Sequence, residues 1–159
     1  MSECRNCAEI SQVESGTHPW AVARLSAGYV WLNPCQYHWG SAFYVARSCV
    51  AESHERDVEK RVTHLSEMSP VAAAIFDEFA ARKMNYEALG NAGPHLHWWL
   101  TPRHHGDPRP GVSDLGGHGL PAGAVDPRAE PNAADTLVLR RRLLSALRRQ
   151  PVSIEATYI

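Results

Sequence analysis

The sequence predicts a fold that mixes strands with helices. Three observations predict it. Short runs rich in aromatic and β-branched residues recur between positions 20 and 46. Apolar residues then recur every three or four positions from about 57 to 82, the period of a helix. A stretch of alternating character, His95 to Thr101, follows it.

Taken in order, Cys4 to Glu14 is polar with scattered apolar residues and suits one or two helical turns. Trp20–Leu25 and Gly28–Leu32 read as strands, and the short link around Ser26-Ala27 predicts a hairpin. Residues 33–40 form a loop punctuated by Pro34 and Gly40, and Ser41–Ala46 is a third strand. In the helical stretch the apolar positions are Val58, Val62, Leu65, Met68, Ala72, Ile75, Phe76 and Phe79, with a kink expected at Pro70. Met84–Leu89 and His95–Thr101 follow as strands joined by the turn at Gly90–Pro94. In the second of them a period of two places His95, His97 and Trp99 on one face, and Leu96, Trp98 and Leu100 on the other. Residues 102–131 hold six of the 11 glycines and six of the 11 prolines, which predicts a long loop. Thr136–Arg149 reads as a helix whose five arginines suit a solvated face, and Val152–Ile159 as a short final strand.

At 159 residues, 44% hydrophobic and 21% charged, the chain has enough apolar material for a core. A net charge of −1 supplies no basic field, so neither nucleic acid nor an anionic membrane is expected as the main partner. No apolar run approaches the roughly 20 residues of a membrane helix, and the N-terminus shows no secretory h-region, so a cytoplasmic location is expected.

Nine histidines and four cysteines direct attention to metal. Cys4 and Cys7 form a C-x-x-C, a spacing at which two thiolates reach one zinc ion. By spacing alone a redox pair or free thiols fit as well, and further ligands would come from Cys35, Cys49 and the histidines. His95 and His97, two apart on a strand, aim both imidazoles into one space, which suits metal binding, nucleophilic catalysis or phosphate contact. A polar sheet edge facing solvent is the plainer alternative.

The segment from Asn85 to Arg103, with His95-Leu96-His97-Trp98-Trp99-Leu100 before Thr101-Pro102-Arg103, resembles the signature strand of the histidine triad superfamily. Tyr29–Pro34, Gly40 and Phe43–Arg47 are similar to its nucleoside-pocket strands, and the C-x-x-C to that of its zinc-bearing bacterial members. The resemblance covers roughly residues 4–110. It implies an α+β fold, a five-stranded antiparallel sheet with a long helix, usually dimerised. It implies a domain over 1–110, and the composition of 111–159 reads as a Gly/Pro-rich linker with a basic C-terminal helix outside it. It implies a structural zinc ion on Cys4, Cys7, Cys49 and His95, with Cys35 left free. It implies His97 as the nucleophile toward the α-phosphorus of a nucleotide or nucleotide conjugate, with Asn33, Asn85, Asn91, Trp99 and Arg103 around the substrate.

Three features depart from the family pattern. Trp99 stands where the third histidine is expected, and an indole offers one N–H donor but no proton transfer. Ala92 replaces a hydroxyl residue that would donate to phosphate, and the tail is unlike the compact ends of the family. Galactose-1-phosphate uridylyltransferases carry glutamine at the third position and transfer the nucleotidyl group, so loss of that histidine leaves catalysis open. A hydrolase or nucleotidyl transferase is the expectation. A repurposed enzyme of specialised metabolism and a non-catalytic, zinc-stabilised nucleotide-binding protein are the alternatives.

Overall fold

The computed structural model describes residues 4–91, 93–107 and 130–159. Ala92 and residues 108–129, which include most of the Gly/Pro-rich stretch, lie outside the described residues.

Strands β1 (Ala21–Leu25), β2 (Gly28–Leu32) and β3 (Ala42–Ala46) form a meander, and β4 (Lys83–Glu87) and β5 (His97–Arg103) form a second antiparallel pair. With β6 (Ile154–Thr157) they make one sheet in the order β4-β5-β3-β2-β1-β6. The sheet thus has six strands, as many as the sequence reads and one more than the family resemblance implies. The added strand comes from the end of the chain and pairs with β1, Ala23 opposite Thr157, covering an edge that would otherwise be open.

Every residue of β2 is buried, because both faces of the sheet are covered. On one face lies α1 (Arg5–Glu14), packing Ile10 and Val13 against Ala21, Tyr29, Trp31 and Val45. On the other lie α2 (Val58–Glu78) and α3 (Ala133–Leu147), which share a core with Val22, Leu25, Val30, Leu32 and Leu100. Leu139, Leu143, Leu144 and Leu147 of α3 are all buried there.

Asp57 caps α2 by accepting from the Lys60 amide, and Pro70 sits inside the helix. Periodicity identified the helix, and Ala72, Ile75 and Phe79 of its apolar positions enter the core. Val58 and Val62 are 65% and 55% exposed, and Leu65 and Phe76 are also exposed, whereas His64 and Glu67 point inward. The reason is a buried polar network. Glu67 accepts from the Ser26 amide and hydroxyl, the Ala27 amide and the Tyr44 hydroxyl. His64 stacks on Tyr44 and accepts from Trp98 Nε1 at 3.2 Å, and burial with the nearby Arg56 charge pushes it down to about 4. Gly28 makes the arrangement possible, since a Cβ there would lie 2.3 Å from the Tyr44 ring.

The arginines of α3 do not all face solvent. Arg140 donates to the carbonyls of Ala21 and Tyr158, while Arg142 and Arg149 both bind the Glu78 carboxylate of α2. No described helix is long and apolar enough to cross a membrane.

Candidate functional site

Cys4 occupies the N-cap position of α1 and Cys7 its first turn, so the helix start presents both thiols together. Cys49 follows β3, and His95 lies two residues before the start of β5. Backbone bonds from Leu96 N to Val50 O and from Ala46 N to Leu96 O bring the last two segments side by side. The ligand atoms of Cys4, Cys7, Cys49 and His95 all lie within 4.8 Å of one another.

The donor set fits a tetrahedral cation. A zinc ion with Zn–S of about 2.3 Å and Zn–N of about 2.0 Å sets S···N separations near ~3.6 Å. His95 Nδ1 lies 3.4 Å from Cys4 Sγ and 3.6 Å from Cys7 Sγ. His95 Nε2 is 2.8 Å from Ala46 O, and a carbonyl only accepts, so Nε2 carries the proton and Nδ1 turns a lone pair to the sulfurs. Burial disfavours the charged form and holds His95 below its ordinary value, as a neutral ligand requires. The thiols are crowded. Burial opposes ionisation of Cys4, but hydrogen bonds from Cys7 and Cys49 outweigh it and draw Cys4 down; burial and the neighbouring Cys49 and Cys4 sulfurs push Cys7 up to about 12. Several thiolates in one place need a cation to hold them.

β5 begins at His97, so the expected alternation does not extend back to His95. The His95 ring, 1% exposed, is engaged by cysteine sulfurs and Ala46. The two histidines are also joined through the backbone, with His97 Nδ1 2.6 Å from His95 O. Because that oxygen only accepts, His97 Nδ1 bears a hydrogen, and in the neutral ring the lone pair falls on Nε2.

His97 shares the α1 face of the sheet with an aromatic row. Trp31 pairs with Phe43, Phe43 with Trp99 and Trp99 with Glu87 across neighbouring strands, and Val45 pairs with His97. The Phe43 ring stands edge-on to Trp99 at 4.6 Å and 6.4 Å from His97. Trp99 Nε1 is buried and has no hydrogen-bond partner among the described residues. Asn33 follows β2 on the Trp31 side, where its Oδ1 accepts from the Cys35 amide in a tight turn. Asn85 pairs with Thr101, two residues beyond Trp99 on the same face. Asn91 stands exposed in the β4–β5 turn. Arg103 also lies on β5, but it is buried in an ion pair with Asp107. Cys35 is half-buried and is not a member of the Cys4, Cys7, Cys49 and His95 cluster.

Solved structures with this architecture can now be named. A histidine triad protein from Marinobacter aquaeolei matches with a TM-score of 0.66 at 24% identity, over 81% of this chain and 88% of that one. This is the histidine triad fold. A Zn-bound histidine triad family protein from Mycobacterium smegmatis shares it at a TM-score of 0.62 and 18% identity, over 92% of this chain and 94% of that one. A hypothetical histidine triad nucleotide-binding protein from Sulfolobus tokodaii does so at 0.67 and 16%, over 89% and 92%. No family model matches the sequence. No curated protein matches it either.

Sequence reasoning included Trp31 and Phe43 only within the pocket-strand segments; the structure sets Phe43 beside Trp99 and His97, with Trp31 against Phe43. Sequence reasoning also passed over Arg56 and Glu67. Arg56 sits in a run of charged residues and Glu67 between Ser66 and Met68, and only tertiary packing shows that they are buried.

Proposed function

We propose that the chain is a member of the histidine triad superfamily acting at the α-phosphate of a nucleotide or nucleotide conjugate, as a hydrolase or nucleotidyl transferase with His97 as nucleophile. The observation that carries this reading is the bond between His97 Nδ1 and His95 O, which reserves Nε2 for attack. In the first step the Nε2 lone pair forms a bond to phosphorus, and the leaving-group oxygen departs with the electrons of the broken P–O bond. Water or another acceptor then forms a bond to phosphorus as the P–Nε2 bond breaks; that electron pair returns to Nε2, the acceptor's proton passes to solvent, and the neutral imidazole is restored.

Trp99 limits the leaving group. Its unpartnered Nε1–H can donate a hydrogen bond to a departing oxygen but cannot release a proton to it. The substrates favoured are therefore those whose leaving group departs without protonation, such as phosphoanhydrides. Asn33 and Asn85 are the polar side chains on this face suited to the ribose, and Asn91 lies in the turn nearest the start of β5. The metal is zinc in this reading. Cys4, Cys7, Cys49 and His95 would hold it in a closed site that supplies structural stability rather than a reacting position. A homodimer and a cytoplasmic location complete the proposal.

Trp99, packed on Phe43 at the third position, favours a second reading in which the protein binds nucleotides without turning them over. A panel of nucleotides and nucleotide conjugates, run against wild type and His97→Ala, separates the two. Catalysis through His97 gives turnover of at least one substrate and a fall of roughly 10³-fold or more in His97→Ala. Tight binding with no turnover supports the second reading, and undiminished turnover in His97→Ala overturns the first.

A further inference from the structure

At the end of the sheet, where the β1–β2 link, the residues after β3 and the start of α2 meet, lies a cleft of about 500 Å³. Small-molecule sites occupy roughly this range, about 300–1,000 Å³. None of the residues placed around His97 or the metal cluster lines it. Its charged lining consists of Arg47, Arg56 and Lys60 against one carboxylate, the exposed Glu59, with the hydroxyls of Ser48 and Thr63 nearby.

Arg56 is the decisive residue. Only 9% of it is exposed, and its Nε and Nη1 have no hydrogen-bond partner among the described residues. A buried guanidinium without a partner is costly, and such groups are found paired. Arg47 and Lys60 already have carboxylates, Glu155 at 3.0 Å and Asp57 at 2.7 Å. Glu67, the buried carboxylate behind Ser26 and Ala27, has both oxygens filled by the four donors described above and makes no ion pair with Arg56. Among the described residues no carboxylate forms an ion pair with Arg56, and Arg56 lines an open cleft flanked by two further cations.

We propose that this cleft is an anion-binding site, separate from the His97 face, that takes the phosphate group of a small phosphorylated molecule with Arg56 as its anchor. Lys60 and Arg47 stand at its rim on exposed side chains and can turn from their present carboxylates toward a second oxyanion edge.

The test is isothermal titration calorimetry of the full chain as purified, with inorganic phosphate as probe and ionic strength held constant with chloride. The expected result is one site per chain in wild type and in His97→Ala, weakened at least tenfold in Arg56→Gln and several-fold in Lys60→Gln. Lys60 is exposed, so that variant decides the matter should Arg56→Gln fail to fold. The proposal is overturned if wild type takes up no phosphate, or if the foldable cleft variants bind as wild type does. It is likewise overturned if binding is lost in His97→Ala and kept in Arg56→Gln. Because the His97→Ala arm reads the other face of the sheet, failure here is distinct from failure of the nucleotide reading.

Discussion

Trp99 is the residue on which the chemistry turns. Its half-buried indole stands edge-on to Phe43 with a buried, unpartnered N–H, so in the proposed reaction it can supply one donor and no proton. Trp99→Phe keeps an aromatic ring and removes that donor. It is expected to lower kcat on a nucleoside anhydride about tenfold, near ~1.4 kcal/mol of transition-state stabilisation, with little change in KM. Trp99→His restores a group able to protonate, and is expected to improve turnover of phosphoramidates, whose amine must be protonated to leave, more than that of anhydrides. Steady-state kinetics on the two substrate classes check both outcomes. Gly28 is the matching case for stability. A methyl group there would lie 2.3 Å from the Tyr44 ring and displace it from Glu67, so Gly28→Ala is expected to cost about 2–4 kcal/mol, read as a lower urea midpoint.

At the scale of elements, α2 and α3 are joined by one carboxylate and two arginines. Hydrogen bonds from Arg142 and then Arg149 hold the Glu78 carboxyl below its usual value. A depressed carboxyl pKa means that folding favours the ionised form. This stabilisation is therefore present above the unfolded value, near ~4.3, and is lost as pH falls through the lower folded value. Glu78→Gln is expected to be about 0.5–1 kcal/mol less stable than wild type at pH 7, with the gap closing below about pH 4, in thermal melts across pH. The elements themselves were legible. β2 is observed over the residues the sequence predicts, and the other described strands and helices shift by only a few residues. What escaped was direction. Val58 and Val62 of the apolar stripe of α2 are exposed while His64 and Glu67 point inward, because Tyr44, Trp98 and the β1–β2 link supply partners that no local pattern reveals. His95 was read as part of β5, but its role in the cysteine cluster draws it out of the strand.

At the scale of the whole molecule, one point ties the fold to the chemistry: His95. Its ring joins the cysteines of α1 and the loop after β3, while its carbonyl sets the proton on His97. The four cluster residues were legible as a set because the C-x-x-C, Cys49 and His95 matched a family pattern, whereas their convergence depends on pairings between distant segments. The role of the chain end was less legible, since a basic Leu-containing helix after a Gly/Pro-rich stretch gives no sign that its leucines enter the main core or that β6 pairs with β1. Metal analysis is expected to find one zinc ion per chain in wild type and none retained in Cys4→Ser. Chelation is expected to lower Tm by roughly 10 °C, as loss of a few kcal/mol does in a chain of this size.

The central claim is that His97, with its Nδ1 committed to the His95 carbonyl, attacks phosphorus through Nε2. Intact-protein mass spectrometry after rapid quenching with a dinucleotide substrate tests it most directly. The account predicts a wild-type adduct of one nucleotidyl group, mapped by fragmentation to His97 and absent in His97→Ala. An adduct that persists in His97→Ala, or turnover of the substrate with no adduct at any quench time, would contradict it.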